Sequence, residues 1–221
     1  MIATWHIVMY NCRVLSHTQP KGEPLLPQTH AMIANVIYED VLKDHNIKLN
    51  KNNLIYGSIK PDIYSGLPKL KHFKPQSFTT ICGEISNLSG GMVEDNRAAV
   101  ANVSKKIGIV THYVADYFCA PHNDRLTYKH HIIDHIKYEN SLHQVFEDTV
   151  LGHKKIMPTS WLDFSRPEQV MNYLDELHKF YVEGSESFLN DLIGSLQATR
   201  SVASMIVREA FGGGNAIWLA A

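Results

Sequence analysis

The sequence predicts an all-α, single-domain protein. Apolar residues recur at intervals of three and four through most of the chain, the period of a helix face. Alternating apolar and polar runs of the kind that build half-buried strands are nearly absent. The 221 residues, 44% apolar and 19% charged, are enough for one sizeable domain with its own core.

Residues 18 to 28, TQPKGEPLLPQ, hold three prolines and a glycine and read as a loop. The residues before them read as an appendage, so 1–27 is an N-terminal extension. Thr29 is placed to cap a helix running to about Leu42, with Ile33, Val36, Ile37 and Val41 on one face. Residues 46 to 77, rich in Asn, Lys, Pro and Gly, read as irregular. Long structureless stretches are usually either functional or misread, and this one carries Asp62 and His72. A short helix over 78 to 88 is broken by Ser89, Gly90 and Gly91. From Val93 to Cys119 the residues Val100, Val103, Ile107, Val110 and Val114 keep a helical period, and Pro121 disfavours helical backbone at Ala120. Three more helices are expected over 128–150, 167–182 and 185–210. The ending FGGGNAIWLAA reads as an unpacked end. The boundaries are thus 28–211 for the folded domain and 212–221 for a flexible tail, with no internal repeat.

Composition narrows the function classes. A net charge of -1 argues against broad attraction to nucleic acid or to an anionic membrane. No apolar run approaches the roughly 18 residues of a membrane span. The N-terminus lacks a basic start and has His6 and Arg13 inside its apolar run, which is poor signal-peptide chemistry, so the chain as written is expected in the cytoplasm. Three scattered cysteines and no CxxC argue against a disulfide framework or a thiolate zinc site. Histidine is the unusual residue: 13 are present, against 10 tyrosines and 8 phenylalanines. Imidazole is the commonest metal ligand and the usual proton shuttle.

The segment HYVADYFCAPH, 112 to 122, places His112 and Asp116 four residues apart with His122 beyond. Residues four apart on a helix share a face, with Cβ atoms about 5–6 Å apart, and two such ligands can meet one Zn²⁺ at about 2.0–2.2 Å each. His135/Glu139 is a second pair. His130/Asp134 and His143/Glu147 have the same spacing, and a solvated ion pair is the ordinary alternative for any one of the four. His112/Asp116 and His135/Glu139 flank the turn at 120–127, where His122 could join them. An aspartate with oxygens facing two ways can bridge two cations, and Asp62, Asp116 and Glu139 would offset the repulsion between grouped ions. Such ions bind a phosphate ester and lower the pKa of bound water. Other templates fail. HIIDH, 131 to 135, lacks the glutamate of H-E-x-x-H. Glu-x-x-His, a His-Asp doublet, a Walker loop, G-x-S-x-G and G-x-G-x-x-G are absent.

With these residues assembled, the chain from about 28 to 150 resembles the zinc-dependent phospholipase C family, bacterial enzymes that include the catalytic domain of clostridial α-toxin. THAMI, 29 to 33, resembles the first ligand helix, with His30. GSIKPD, 57 to 62, resembles the segment that supplies an aspartate, Asp62. HF, 72 to 73, resembles the next histidine, HYVADYFCAPHN the central His-x3-Asp-x5-His element, and HIKYEN, 135 to 140, the closing His-x3-Glu element. The glutamate favours this family over the related S1/P1-type nucleases, which usually close with aspartate.

The resemblance implies a zinc-dependent phosphodiesterase, a hydrolase that cleaves a glycerophospholipid to diacylglycerol and a phosphorylated head group by means of a metal-bound hydroxide. It implies one zinc held by Asp62, His72, His112 and Asp116, and a second by His122, His135 and Glu139. A third would share Asp116 and take His30. Asp62 is the implied general base. Tyr64 and Phe73, beside ligands, are candidate head-group contacts, with ordinary core packing as the other reading. Family enzymes complete the third site with a terminal tryptophan, whereas Trp5 lies 25 residues before His30; two zinc positions are expected, and the third is either incomplete, completed by another ligand such as His6 or His17, or dependent on a different start. The chain has no room for the toxin's C-terminal membrane-binding domain. The family is exported, so a different start would make the protein secreted. The alternatives are an S1/P1-type nuclease acting on single strands, against which the lack of a basic groove argues, and a degenerate, non-enzymatic metal-binding helical protein. A phospholipid or other phosphodiester is the expected partner, and no stable nucleic-acid binding is expected.

Overall fold

A computed structural model describes residues 27–63, 70–94, 96–123, 132–149 and 163–212, with the backbone alone for 123, 132–136 and 147–149. Among them are eight helices and no strand: α1 Pro27–His45, α2 Lys51–Ile63, α3 Lys74–Gly90, α4 Arg97–Asp116, α5 Ala120–Asn123, α6 Ile132–Thr149, α7 Pro167–Glu183 and α8 Phe188–Ala210. The all-α expectation holds. No described helix is long and apolar enough to cross a membrane.

α8 is the central element, packing against α1, α3, α4, α6 and α7. Its Leu192, Val202, Ala203, Ile206 and Val207 are fully buried, and they share one core with Ile37 of α1, Ile85 of α3, Ile107 and Val114 of α4, and Phe146 of α6. Burial of each large apolar side chain contributes about 1.5–3 kcal/mol. The helix ends are chemically marked. The Asn96 side chain accepts from the Ala99 N–H at 2.8 Å and starts α4; the Ser187 hydroxyl accepts from Asn190 N–H at 3.1 Å and starts α8.

Several boundaries differ from the sequence expectation. α1 begins at Pro27, whose missing N–H costs nothing in a first turn. Thr29 is therefore no cap. It lies buried within the helix, where its hydroxyl shares a 3.0 Å hydrogen bond with Nδ1 of His143. Residues 46 to 77 are not irregular throughout, because Lys51–Ile63 is helical. Asn50 opens that helix, its side chain accepting from Asn53 N–H at 3.0 Å. α3 starts at Lys74 rather than 78, with Pro75 in its first turn. α4 starts only at Arg97, and Val93 instead donates its N–H to Ala210 at the end of α8, at 2.9 Å. Ala120 is helical despite Pro121, which sits in the first turn of the four-residue α5 where no N–H is needed. Phe211, read as part of an unpacked end, is 5% exposed and belongs to the core.

α2 and α4 meet through glycine. A Cβ added at Gly57 would lie 2.1 Å from the Lys105 carbonyl oxygen, and one at Gly108 would lie 2.2 Å from that of Leu54. No side chain fits at either position, so the two backbones touch directly. This contact positions the site.

Candidate metal centre

Gly108 stands one helical turn before His112 on α4, and Gly57 is next to Ser58 on α2. Because the helices touch there, Nδ1–H of His112 donates to the Ser58 carbonyl at 2.8 Å. That bond fixes the tautomer and leaves Nε2 as a lone pair, aimed at the carboxylates beyond. His112 and Asp116, four apart on the inner face of α4, are both fully buried.

Nδ1 of His72 faces this pair from the segment before α3. It is 2.7 Å from Oδ2 of Asp116, 3.0 Å from Nε2 of His112 and 4.0 Å from Oδ1 of Asp62. Nε2 of His112 is 3.4 Å both from Oδ1 of Asp62 and from Oδ2 of Asp116. Four ligand atoms about 2.0–2.2 Å from a tetrahedral zinc stand roughly 3.3–3.6 Å from one another, so these spacings bracket what such an ion needs. The His72 proton lies between two acceptors, Asp116 and His112, in the place a cation would take, and metal binding to such ligands releases protons.

The other carboxylate oxygens face different partners. Nε2 of His30, on α1, is 3.3 Å from Oδ1 of Asp116 and 3.9 Å from Oδ2 of Asp62. Nε2 of His122, on α5, is 4.0 Å from Oδ1 of Asp116 and 3.7 Å from Oε1 of Glu139 on α6. Asp116 thus turns one oxygen to His72 and His112 and the other to His30 and His122. The Nε2 of His30 and Oδ1 of Asp116 are buried and lie outside hydrogen-bond geometry despite their closeness. Buried polar atoms left without a bond cost free energy, and a cation between them would remove that cost. Among the described residues, two groups have ligand atoms close enough to hold a metal ion: His30, His112 and Asp116, and Asp62, His72 and His112. The donor set fits zinc.

Electrostatics agree with the geometry. Burial pushes the His112 imidazole well below its ordinary value, with His30 adding to the effect. Burial alone would raise the Asp116 carboxyl, but the charges of His112, His122 and His30 outweigh it and hold the group well below the usual carboxylate range. An ionised Asp116 is the state a metal requires of a carboxylate ligand. Burial, with Asp116 and Asp62, raises the Tyr113 hydroxyl to about 12, so it stays protonated. The thiols of Cys82 and Cys119 are buried and pushed up by burial, which makes them poor ligands.

The structure therefore gathers His30, Asp62, His72, His112, Asp116, His122 and Glu139. The side chain of His135 and all of Tyr64 lie outside the described residues. Phe73 follows His72 half-buried at the entry to α3, where its carbonyl accepts from the Ser77 hydroxyl at 3.1 Å. Of the other spaced pairs, His130 and the side chains of Asp134 and Glu147 also lie outside the described residues, while His143 pairs with Thr29. Sequence reasoning missed the supporting groups: the Ser58 carbonyl and the glycines at 57 and 108. Of these only Gly108 carried a signal, since a glycine inside a helical pattern often has a packing reason, whereas Gly57 stood in a stretch that reads as irregular.

Comparison with known proteins adds one match. Residues 29–201 match the family described as zinc dependent phospholipase C, while no curated protein and no solved structure matches the chain. The match covers well over half of the sequence and includes every residue of the cluster. The chain belongs to the zinc-dependent phospholipase C family.

Proposed function

We propose that the protein is a zinc-dependent phosphodiesterase of phospholipase C type, which hydrolyses a glycerophospholipid to diacylglycerol and a phosphorylated head group. The observation that carries this reading is Asp116, fully buried, with one oxygen toward His72 and His112 and the other toward His30 and His122. A carboxylate shared in this way suits neighbouring cations, and three nearly buried carboxylates, Asp62, Asp116 and Glu139, would repel one another without them.

Asp62, His72, His112 and Asp116 would hold one ion. His122, Glu139 and His135 would hold a second, and His30 would share Asp116 for a third. Zinc bound there supplies positive charge for the phosphate oxygens and lowers the pKa of water. The chain's own groups do the rest. His72 and His122, with side chains 17% and 10% exposed, form the open edge of a cluster whose other described side chains are almost fully covered, so the phosphate enters from their side. Asp62 orients the attacking water and accepts its proton. The water oxygen bonds to phosphorus, the bond from phosphorus to the glycerol oxygen breaks, and a proton passes to that oxygen.

The test is zinc content together with turnover of short-chain phosphatidylcholine, before and after chelation, with single-stranded DNA assayed in parallel. The expected result is release of phosphocholine that chelation abolishes and zinc restores. A folded protein that binds no metal and turns over no phospholipid overturns the proposal, and cleavage of DNA alone replaces it with a nuclease.

A further inference from the structure

Asp191 lies in the first turn of α8 and is 1% exposed, far in sequence from every ligand candidate. Among the described residues, a backbone N–H and two hydroxyls converge on its carboxylate, with the Cys119 thiol beside them. The Ala120 N–H donates to Oδ2 at 2.9 Å, the Tyr138 O–H to the same oxygen at 3.1 Å, and the Tyr181 O–H to Oδ1 at 2.8 Å. The donors come from α5, α6 and α7, so this one side chain ties three elements to a fourth. Two of them adjoin the metal centre: Ala120 is two residues before His122, and Tyr138 immediately precedes Glu139.

We infer that Asp191 is a positioning residue for the His122–Glu139 half of the metal centre, fixing α5 against α6 and so setting the separation of those two side chains. The inference rests on the proposed zinc reading. α5 has only four residues, too few to be rigid through its own ladder, and its first N–H has no partner within a helix. Asp191 satisfies that N–H from outside with a charge-assisted bond. On α6 it grips the residue next to Glu139. His122 Nε2 and Glu139 Oε1 stand 3.7 Å apart across this junction. Space for the arrangement comes from Gly194, one turn further along α8. A Cβ there would lie 2.9 Å from the Phe118 ring and 3.1 Å from the Tyr181 ring, which could not then reach inward. A carboxylate in this position is costly: burial raises its pKa to about 6. An uncharged acceptor would hold the helices together more cheaply but would grip the Ala120 N–H less firmly.

The test compares Asp191→Asn, Tyr138→Phe and Tyr181→Phe in the full chain. Zinc stoichiometry and release under chelator competition are measured, with helicity and metal-free thermal stability recorded alongside. Tyr138→Phe and Tyr181→Phe each remove one hydroxyl from the same carboxylate, but only Tyr138 adjoins a ligand candidate. In Asp191→Asn and Tyr138→Phe, one class of zinc should be released roughly 10–100-fold more readily, while the rest is held as in the parent. Tyr181→Phe should lose metal-free stability and keep the parental release profile. Parental release profiles in both Asp191→Asn and Tyr138→Phe overturn the inference, as does equal loss of zinc in Tyr181→Phe. If Asp191→Asn fails to fold, Tyr138→Phe decides alone. A parent that binds no zinc overturns the proposed function instead, and the inference with it.

Discussion

Asp116 and Asp62 differ in what their replacement should cost. Asp116 faces imidazoles from both of its oxygens, so Asp116→Asn should lose more than one zinc and lower activity by at least about 100-fold, since even supporting partners of ligands cost that much. Zinc analysis with phosphatidylcholine turnover checks it. Asp62→Asn keeps one oxygen for a metal but loses the proton acceptor. Activity should fall about 10²–10⁴-fold with most zinc retained, and parallel loss of zinc and activity would show Asp62 to be a ligand alone. Asp116 was visible in the sequence because a carboxylate four residues from a histidine carries its chemistry in its letter, whereas Asp62 stood in a stretch that reads as irregular and took its role from the family resemblance. The Ser58 carbonyl that orients His112 was not visible, because every residue has a carbonyl and only the fold decides which one is used. Asp191 was passed over for a related reason: an acid in an apolar helix shows no partner until the helices pack.

At the scale of elements, the crossing of α2 and α4 is the sensitive point. In Gly108→Ala the new methyl would stand 2.2 Å from the Leu54 carbonyl and 2.7 Å from the Ser58 nitrogen. Forcing such contacts typically costs 1–3 kcal/mol, partly offset by about 1 kcal/mol of helix propensity. Separation of the helices also pulls Ser58 from His112, so the variant should lose zinc affinity more than stability; isothermal titration beside thermal melting checks this. The same crossing explains why α2 escaped sequence reading. Its Asn, Lys, Gly and Pro residues make a poor autonomous helix, and what holds it is tertiary contact through buried Leu54, Gly57 and Ser58. α7 and α8, by contrast, carry strong apolar stripes and were legible to within a few residues. α7 also carries a pH-dependent contact. Burial, assisted by Lys74, lowers the His178 imidazole from 6.5 to about 4. The unfolded chain takes up a proton near 6.5 that the folded one refuses until about 4, so this stabilisation is complete above 6.5 and lost as pH falls through that window. Asp191 has the opposite sign, because its folded pKa of about 6 exceeds the ordinary 3.8 and its protonation favours the fold as pH falls. Melting temperatures of metal-free protein between these pH values should decline less steeply in His178→Gln and more steeply in Asp191→Asn than in the parent.

For the whole molecule, the ligand candidates come from α1, α2, the segment before α3, α4, α5 and α6. An ion bound among them would cross-link most of the chain in its folded form alone. At 100 times the dissociation constant each ion stabilises by about 2.7 kcal/mol, which for a domain of this size is roughly 5–10 °C in melting temperature. Calorimetry with and without a chelator should show a drop of at least that size, and identical melts would show that no ion is held. The all-α architecture was legible because helical period needs only the local chain, whereas the meeting of six segments at one point depends on long-range packing.

The ligand candidates end at Glu139, yet Asp191, on a helix that begins about fifty residues later, ties together the pieces carrying His122 and Glu139. A polypeptide stopping after residue 150 would contain every candidate donor atom and lack the carboxylate that joins the pieces carrying two of them, so it should hold fewer zinc ions than the full chain.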